Sequence, residues 1–355
     1  MANLLQRILG QRETRTTPPV IPPRSTTQAN PETALTLTAV ARAVQILATP
    51  VSKMELETYR FAGGLEQKIE NPIFVNRPSI LDTRRELLYA LVVDLALYGN
   101  GYLLKQFDSN GRIVQVFQLP AFAVTVRYND AGTDKLFDYN NKTYTSDQIE
   151  HLRLMPRAGY PKGVSILETC SPDVKAALDL RDYQSNWFSS SGVPTGVIKS
   201  SRDLTAADAE AMTAAWHTKQ ATRQIAVLGN GFDFQHVQLS PRDALMTEVA
   251  SQSVQQIARL FGVPARLLLT GVDGSSDTYT NLQDENQVFY RHTLMAYTDV
   301  IADAISNCLP RGTRVKFDYQ SLFAADMESR FNMWSTALAG EPFMTVDEVR
   351  ERENL

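Results

Sequence analysis

The spacing of apolar and turn residues predicts an α+β fold, and three observations carry that reading. Short strand-type runs, punctuated by turn residues, crowd into residues 55–154. Two helix patterns with apolar residues at i, i+3 and i+4 precede and interrupt them. From Gly163 onward helix patterns dominate, broken by one small strand-bearing insert.

The elements follow in order. Residues 11–31 hold five prolines among Thr, Ser, Gln and Arg, which predicts a disordered arm over 1–33. Leu37, Val40, Ala41, Val44 and Leu47 then fall at helical spacing, with candidate caps between Thr33 and Thr38 and a stop near Pro50. A strand is expected at 55–61, followed by a Gly63-Gly64 turn and a loop around Asn76-Arg77-Pro78. A second helix starts at Asp82 or Thr83 and stops at Gly99-Asn100-Gly101. Asp108-Ser109-Asn110-Gly111 between two alternating runs predicts a hairpin, 102–107 with 113–119. Further strands are expected at 123–128, 136–139, 142–144 and 149–154.

The second regime opens with a helix from about 166 to a Ser-rich end near Gly192. The insert carries a strand at 196–200, a helix capped by Asp203 or Thr205, a strand at 224–229 and a turn at Asn230-Gly231. A helix to Phe261, a polar loop and a helix from about Thr280 to Cys308 follow. The strand RVKFDY, a helix over 322–338 and a short helix TVDEVRERENL close the chain.

Composition bounds the function. At 355 residues and 43% hydrophobic content the chain can bury a sizeable core, and its length suggests two to three subdomains. No apolar run approaches the ~18 residues a membrane helix needs, and the N-terminus lacks a secretory pattern. Cys170 and Cys308 form no CxxC pair and read as reduced, semi-buried residues of a cytosolic protein. With 35 Lys plus Arg against 39 Asp plus Glu, the charge balance argues against strong nucleic-acid affinity, though not against a DNA contact that must stay weak.

No catalytic constellation emerges. The four histidines, 151, 217, 236 and 292, share no metal-binding spacing and read as structural or solvent-facing. No phosphate-binding GxxxxGK[ST] or GxSxG elbow occurs. Gly229-Asn230-Gly231 reads as a turn. Asp273–Asp277 resembles the start of a calcium loop but lacks the later acidic ligands. The carboxylate pairs Asp284-Glu285 and Glu348/Glu351 read as solvated helix faces or subunit contacts. No enzyme, cofactor or metal is expected.

The informative stretch is Ser253–Leu294. Val254, Ile257, Ala258 and Phe261 form one helix face, Gly262 and Pro264 end it, and the polar segment Gly271–Thr280 intervenes before the next helix. A polar loop between rigid elements suits contact with a moving or exchangeable partner. Between Gly262 and Phe289 the basic residue is Arg266, against Asp273, Asp277, Asp284 and Glu285. These acids are either ordinary loop residues or a lining that lets nucleic acid pass without the grip of many phosphate contacts.

Landmarks in order then carry a family resemblance: AVARAVQILATPVSKMELETYR, NRPS at 76–79, LYGNGYLL at 97–104 and IEHLR with GYPKGVSIL. SSSGVPTGVI at 189–198, IARLFGVPARLLLTG at 257–271, VKFDYQSLFAADMESR and GEPFMTVDEVRERENL complete the set. Over about 35–355 the chain resembles the portal protein (head–tail connector) family of tailed bacteriophages, siphovirus type. The resemblance implies a homo-oligomeric ring, usually of twelve subunits, at one capsid vertex of the virion, assembled in the host cytoplasm around a central channel. Its parts would be a wing over 34–165, stem helices over 166–191 and 241–261, and a clip over 192–240. A tunnel loop would span 262–279, a long helix and inner wing strand 280–320, and crown helices 321–355. Arg266, Thr270, Asp273, Ser275, Ser276, Asp277 and Thr278 would then line the DNA channel. Trp216, His217, Lys219 and Arg223 would lie where the terminase large subunit, and later the head–tail adaptor, dock on the clip. Other implied partners are double-stranded DNA, passing non-specifically, and the major capsid protein or scaffold; no membrane is implied. The rivals are a portal of a gene transfer agent or prophage remnant, a non-viral oligomeric scaffold, and a DNA-processing enzyme such as a nuclease.

Overall fold

A computed structural model describes residues 29–62, 64–188, 196–200, 205, 208, 210, 211, 214, 232–236, 246–268, 285–319, 334–339 and 344–353. The chain forms two compact units: the larger joins 28–175 to 251–355, and the smaller includes 176–250.

The larger unit opens with a short helix, α1 (Pro31–Leu35), so the end of the expected disordered arm is ordered. Asn30 Oδ1 accepts the Thr33 N–H at 2.7 Å and Thr33 Oγ1 accepts the Asn30 N–H at 3.0 Å. This reciprocal box, with Pro31 at the first helical position, holds even five residues helical. Thr33 is thereby committed to α1, and α2 (Thr38–Lys53) begins at Leu37 without a side-chain cap. Pro50 does not end α2, which runs on to Lys53. A proline in the last turn forfeits one hydrogen bond, and Val51, fully buried, keeps that turn on the core.

Next come β1 (Leu56–Ala62), β2 (Leu65–Ile69), the one-turn α3 (Ile73–Asn76) and α4 (Arg84–Tyr98). Thr83, rather than Asp82, caps α4: Thr83 Oγ1 accepts the Glu86 N–H and Glu86 Oε2 accepts the Thr83 N–H. The buried faces of α2 and α4 meet through Val40, Val44 and Leu47 on one side and Leu88, Leu91 and Leu95 on the other. Each such side chain contributes roughly 1.5–3 kcal/mol on burial. Gly99, at φ +67°, ends α4 in the left-handed region.

From there the chain enters β3 (Asn100–Phe107) and turns into β4 (Ile113–Leu119). Asp108 Oδ1 accepts the N–H groups of Asn110 and Arg112, both at 2.8 Å, which closes the hairpin. A 3₁₀ turn at Ala121–Ala123 leads to β5 (Thr125–Tyr128), β6 (Lys135–Tyr139), β7 (Lys142–Thr145) and β8 (Ile149–Arg153). Two antiparallel sheets result, in strand orders β4-β3-β8 and β5-β6-β7. Tyr102, Val126, Phe137 and Ile149 share one core between them. The Tyr102 ring stacks on His151 at 4.7 Å, and Phe137 meets the imidazole edge-on at 5.5 Å.

The helix expected to run unbroken from 166 is two helices, α5 (Ile166–Thr169) and α6 (Ser171–Phe188), parted at Cys170. Pro172 has no N–H to continue the ladder from Glu168 and sits instead in the first turn of the new helix. The smaller unit carries β9 (Gly196–Ser200), paired antiparallel with β10 (Phe232–His236). β10 has no counterpart in the sequence reading, whose strand at 224–229 lies outside the described residues. Thr205, one of two expected caps, accepts the Asp208 N–H at 3.3 Å.

α7 (Met246–Phe261), which lies in the larger unit from 251 onward, is followed by a helical return from 285 and by α8 (Met295–Asn307). β11 (Thr313–Phe317) pairs with β1, giving a third sheet in the order β11-β1-β2. β2 was absent from the sequence reading because Leu-Glu-Gln-Lys-Ile is too polar to announce a strand; pairing with β1 makes it one. Lys316 Nζ reaches Glu66 Oε2 at 2.6 Å, and Arg314 pairs with the same carboxylate. α9 (Val346–Glu353) closes the chain behind a Thr345–Glu348 capping box. Cys170 and Cys308 are both free thiols, and no helix of the described residues is long and apolar enough to cross a membrane.

Two titrations oppose each other in this unit. Burial pushes the Asp94 carboxyl up to about 6, against the pull of the Gln118 amide and the Ala121 N–H. Burial, with the nearby cations Lys135, Arg153 and Lys162, brings His151 down to about 2. Between about pH 4 and pH 6 native Asp94 holds a proton that the unfolded chain has lost, so its contribution falls as pH rises. His151 works the other way: protonation of the unfolded chain below about pH 6.5 drains stability on acidification. We expect Asp94→Asn to raise stability at pH 7 by on the order of 2 kcal/mol and to lose that advantage by about pH 4. Guanidinium midpoints at the two pH values check this; an equal gain at both would refute it.

Candidate functional site

The segment that the sequence singles out is entered from α7. Ile257, Ala258 and Phe261 are buried and Val254 half-buried, so the expected face packs inward. Gly262, at φ +64°, ends the helix. Its N–H donates to Arg259 O at 3.2 Å and the Val263 N–H to Ala258 O at 3.0 Å. This doubly bonded left-handed cap satisfies carbonyls that would otherwise be orphaned. Pro264 then prevents any continuation, and a 3₁₀ turn follows at Ala265–Leu268.

The returning helix is tied to this cap at two points. Thr293 Oγ1 donates to Gly262 O at 2.8 Å, from within a π-helical turn at Tyr290–Leu294. The extra residue of a π turn shifts the helix face, and it sets Thr293 against the glycine so closely that a Cβ on Gly262 would fall 2.8 Å from Thr293 Oγ1. At the second point Arg266 Nε donates to Glu285 Oε2, and Arg266 Nη2 donates to Asn286 Oδ1 at 2.6 Å. The residues that leave and re-enter the rigid part are thus clasped across 269–284. Beside the clasp an open cleft of ≈ 400 Å³ is lined by Ala258, Val263, Phe289 and His292 among others.

Arg266, expected on the channel lining, is engaged with Glu285 and Asn286 at the base of the segment. Thr270, Asp273, Ser275, Ser276, Asp277 and Thr278 lie outside the described residues, as do Trp216, His217, Lys219 and Arg223. His151 is half-buried against the Tyr102 and Phe137 rings, whereas His292 is exposed at the cleft. Among the described residues no group of three or more His, Cys, Asp or Glu side chains could hold a metal ion. The arrangement offers fixed feet for a segment whose sequence holds Asp273, Asp277 and Asp284 and no Lys or Arg from 269 to 284. With Arg266 neutralised at its base, this segment has nothing of the basic grip that a phosphate-binding surface needs.

Charge reversal tests the clasp. Arg266→Glu should cost about 0.5–1 kcal/mol, since the pair is partly exposed, and should speed proteolytic cleavage within 269–284. The double reversal Arg266→Glu with Glu285→Arg should restore slow cleavage; cleavage as fast as in the single variant would show that the pair does not hold the segment's feet.

Comparison with known proteins gives a consistent result. The family model for phage portal protein matches residues 38–354. A probable portal protein of Streptomyces phage phiC31 is 24% identical over 348 residues, covering 92% of this chain and 76% of that protein. A crystal structure of an HK97-family phage portal protein from Corynebacterium diphtheriae superposes with a TM-score of 0.62 at 16% identity, covering 84% of this chain and 98% of that one. A chain from the neck of a native gene transfer agent particle, computed with C12 symmetry, gives 0.62 at 20% identity, covering 95% and 96%. The two solved structures show that the fold is shared.

Proposed function

The chain belongs to the phage portal protein family, and from that premise we propose that it forms a homo-oligomeric ring of twelve subunits at one capsid vertex of a virion. Family membership over 38–354 carries this reading, and the twelvefold symmetry of the related neck particle supports the number. Double-stranded DNA enters through the ring during packaging and leaves through it during ejection. The terminase large subunit docks first and the head–tail adaptor later, on the clip at 192–240; the separate unit at 176–250 contains that span. The wing meets the major capsid protein or scaffold, and assembly takes place in the host cytoplasm. The family is structural, and we assign this chain no catalytic step, metal or cofactor. A nuclease would need metal-dependent cleavage by the purified chain, abolished by a single carboxylate change.

The segment 262–279 is assigned as the tunnel loop, with Arg266 holding its base and Thr270, Asp273, Ser275, Ser276, Asp277 and Thr278 facing the channel. Trp216, His217, Lys219 and Arg223 are assigned to clip docking. Closed rings use complementary patches on opposite sides of each subunit, so the isolated chain should assemble by itself. Negative-stain microscopy or native mass measurement should show a ring with a hole wide enough for duplex DNA; a stable compact monomer under all conditions would sink the reading. Deleting 271–278 should leave assembly intact and impair packaging or retention of DNA. Normal packaging and retention by the deleted ring would remove the tunnel-loop assignment while leaving the ring itself.

The likeness to a gene transfer agent neck favours one second reading, a portal of such an agent. Sequencing the DNA inside purified particles separates the two: phage genomes for the first, host fragments for the second.

A further inference from the structure

Three cations converge on one seam of the larger unit, around the half-buried imidazole of His151. Strand alternation brings two of them there: Lys135 shares a face of β6 with Phe137, and Arg153 shares a face of β8 with His151. The Lys135 ammonium lies 3.5 Å from His151 Nδ1. Lys162, in the loop before α5, donates to Val124 O at 2.7 Å. Arg153 Cβ would stand 3.2 Å from a Cβ placed on Gly163, the residue after Lys162. All three side chains are half-buried, and all three act on His151 as nearby positive charges.

No carboxylate balances this charge directly. Among the described residues neither Lys135 nor Arg153 takes part in an ion pair. The acids of the same strands are occupied elsewhere: Asp134 accepts the Lys135 backbone N–H, Asp138 pairs with Arg127, and Glu150 pairs with Lys105. Glu168 acts on Lys162 at a distance. His151 stays neutral and supplies no counter-charge, while Asn100 Oδ1 is taken by the Gly163 N–H and faces His151 Nε2. Burial pushes both ammonium groups below the usual lysine range, and for Lys135 the Arg153 charge adds to it. Partly desolvated cations held together without an anion are unfavourable unless something arrives to pair with them.

We propose that Lys135, Arg153 and Lys162 form a binding site for a phosphate group, supplied either as free phosphate or as the backbone of duplex DNA. Two ammonium point charges and one planar guanidinium, from three separate chain segments, suit an anion with several oxygens and more than one charge. A lone carboxylate would leave most of the cluster unpaired. The site lies within a single chain and stands apart from the ring reading.

Mass-spectrometric footprinting of the unaltered chain with an amine-reactive reagent tests it. Inorganic phosphate should protect Lys135 and Lys162 and leave the exposed Lys142 reactive. A short duplex oligonucleotide, added in place of phosphate, separates the sources: protection by both ligands assigns the site to DNA, and protection by phosphate alone assigns it to the free anion. No protection by either overturns the proposal. In parallel, Lys135→Gln with Arg153→Gln should abolish phosphate binding. If the duplex binds, the same variant should lower the slope of log affinity against log salt by roughly two, at about 0.9 per phosphate contact. Unchanged binding by a folded double variant would equally overturn the proposal. Failure here leaves assembly by microscopy unaffected, so the two readings fall separately.

Discussion

Replacing Asn100 by Asp should destabilise the protein by about 3–5 kcal/mol, the range expected when a buried network loses its partners. Asn100 is 4% exposed. Its Nδ2 donates to Tyr98 O at 2.7 Å and to Gly163 O at 2.9 Å. Its Oδ1 accepts the Gly163 N–H at 2.6 Å and lies 3.0 Å from His151 Nε2. The amide thus ties the end of α4, the loop residue Gly163 and His151 of β8 together with both of its ends. An aspartate has the same shape and no donor, so two carbonyl oxygens would face a buried carboxylate. Leucine would leave all four groups unpaired and should cost a similar amount. Chemical unfolding of both variants at pH 7 checks this, and a loss under 1 kcal/mol for Asp would show that water enters the seam and replaces the amide.

Gly99→Ala is the second large effect, expected at about 3 kcal/mol or more from left-handed strain plus a backbone collision. Gly99 has φ +67°, and an added Cβ would fall 2.4 Å from Val164 O and 2.8 Å from Val164 C. Gly163 returns the constraint, since its Cβ would fall 2.4 Å from Gly99 O. Neither neighbour is the end of a flexible side chain, so relief requires the two backbone segments to separate. That movement would break the Leu154 N–H to Gly99 O bond at 3.0 Å and loosen Asn100. Gly111→Ala is the control: Gly111 has φ +73° with open space where the Cβ would go, so it should show the strain alone, about 1–2 kcal/mol. Equal costs at 99 and 111 would mean that the close approach contributes nothing.

What could be read from the sequence follows from range. The Thr83–Glu86 box, the Asp108–Gly111 turn and the Gly262 stop are decided by neighbours within a few residues, so propensity and pattern find them. β6, β7 and β8 were found for the same reason, with strands starting or ending within a residue of expectation. The break at Cys170 was missed because the apolar spacing continues through Pro172. The π turn at 290–294 adds one residue to a helix and leaves no compositional trace. Pro50 marks a helix end in a peptide, but here the fully buried Val51 holds the last turn on the core.

The candidate site divides along the same line. Its position, the glycine stop and the shortage of Lys and Arg are local facts of the sequence. The partner of Arg266 stands 19 residues further on, and only the folded chain shows that this arginine holds the base of the segment. The cluster of Lys135, Arg153 and Lys162 was invisible because three chain segments each contribute one ordinary cation.

β1 is the middle strand of its sheet, yet its two neighbours are made at widely separated times. β2 follows it at once, whereas β11 is made some 250 residues later, as the Lys316–Glu66 contact shows. While the ribosome is still adding the intervening chain, the nascent β1–β2 hairpin carries an open edge, the kind that invites pairing with other chains. The β11-β1-β2 sheet of the larger unit therefore closes only after residue 317 has been made. A chain that stops before 313 keeps that edge and cannot form the β11 pairing, so it carries the kind of open strand that invites aggregation.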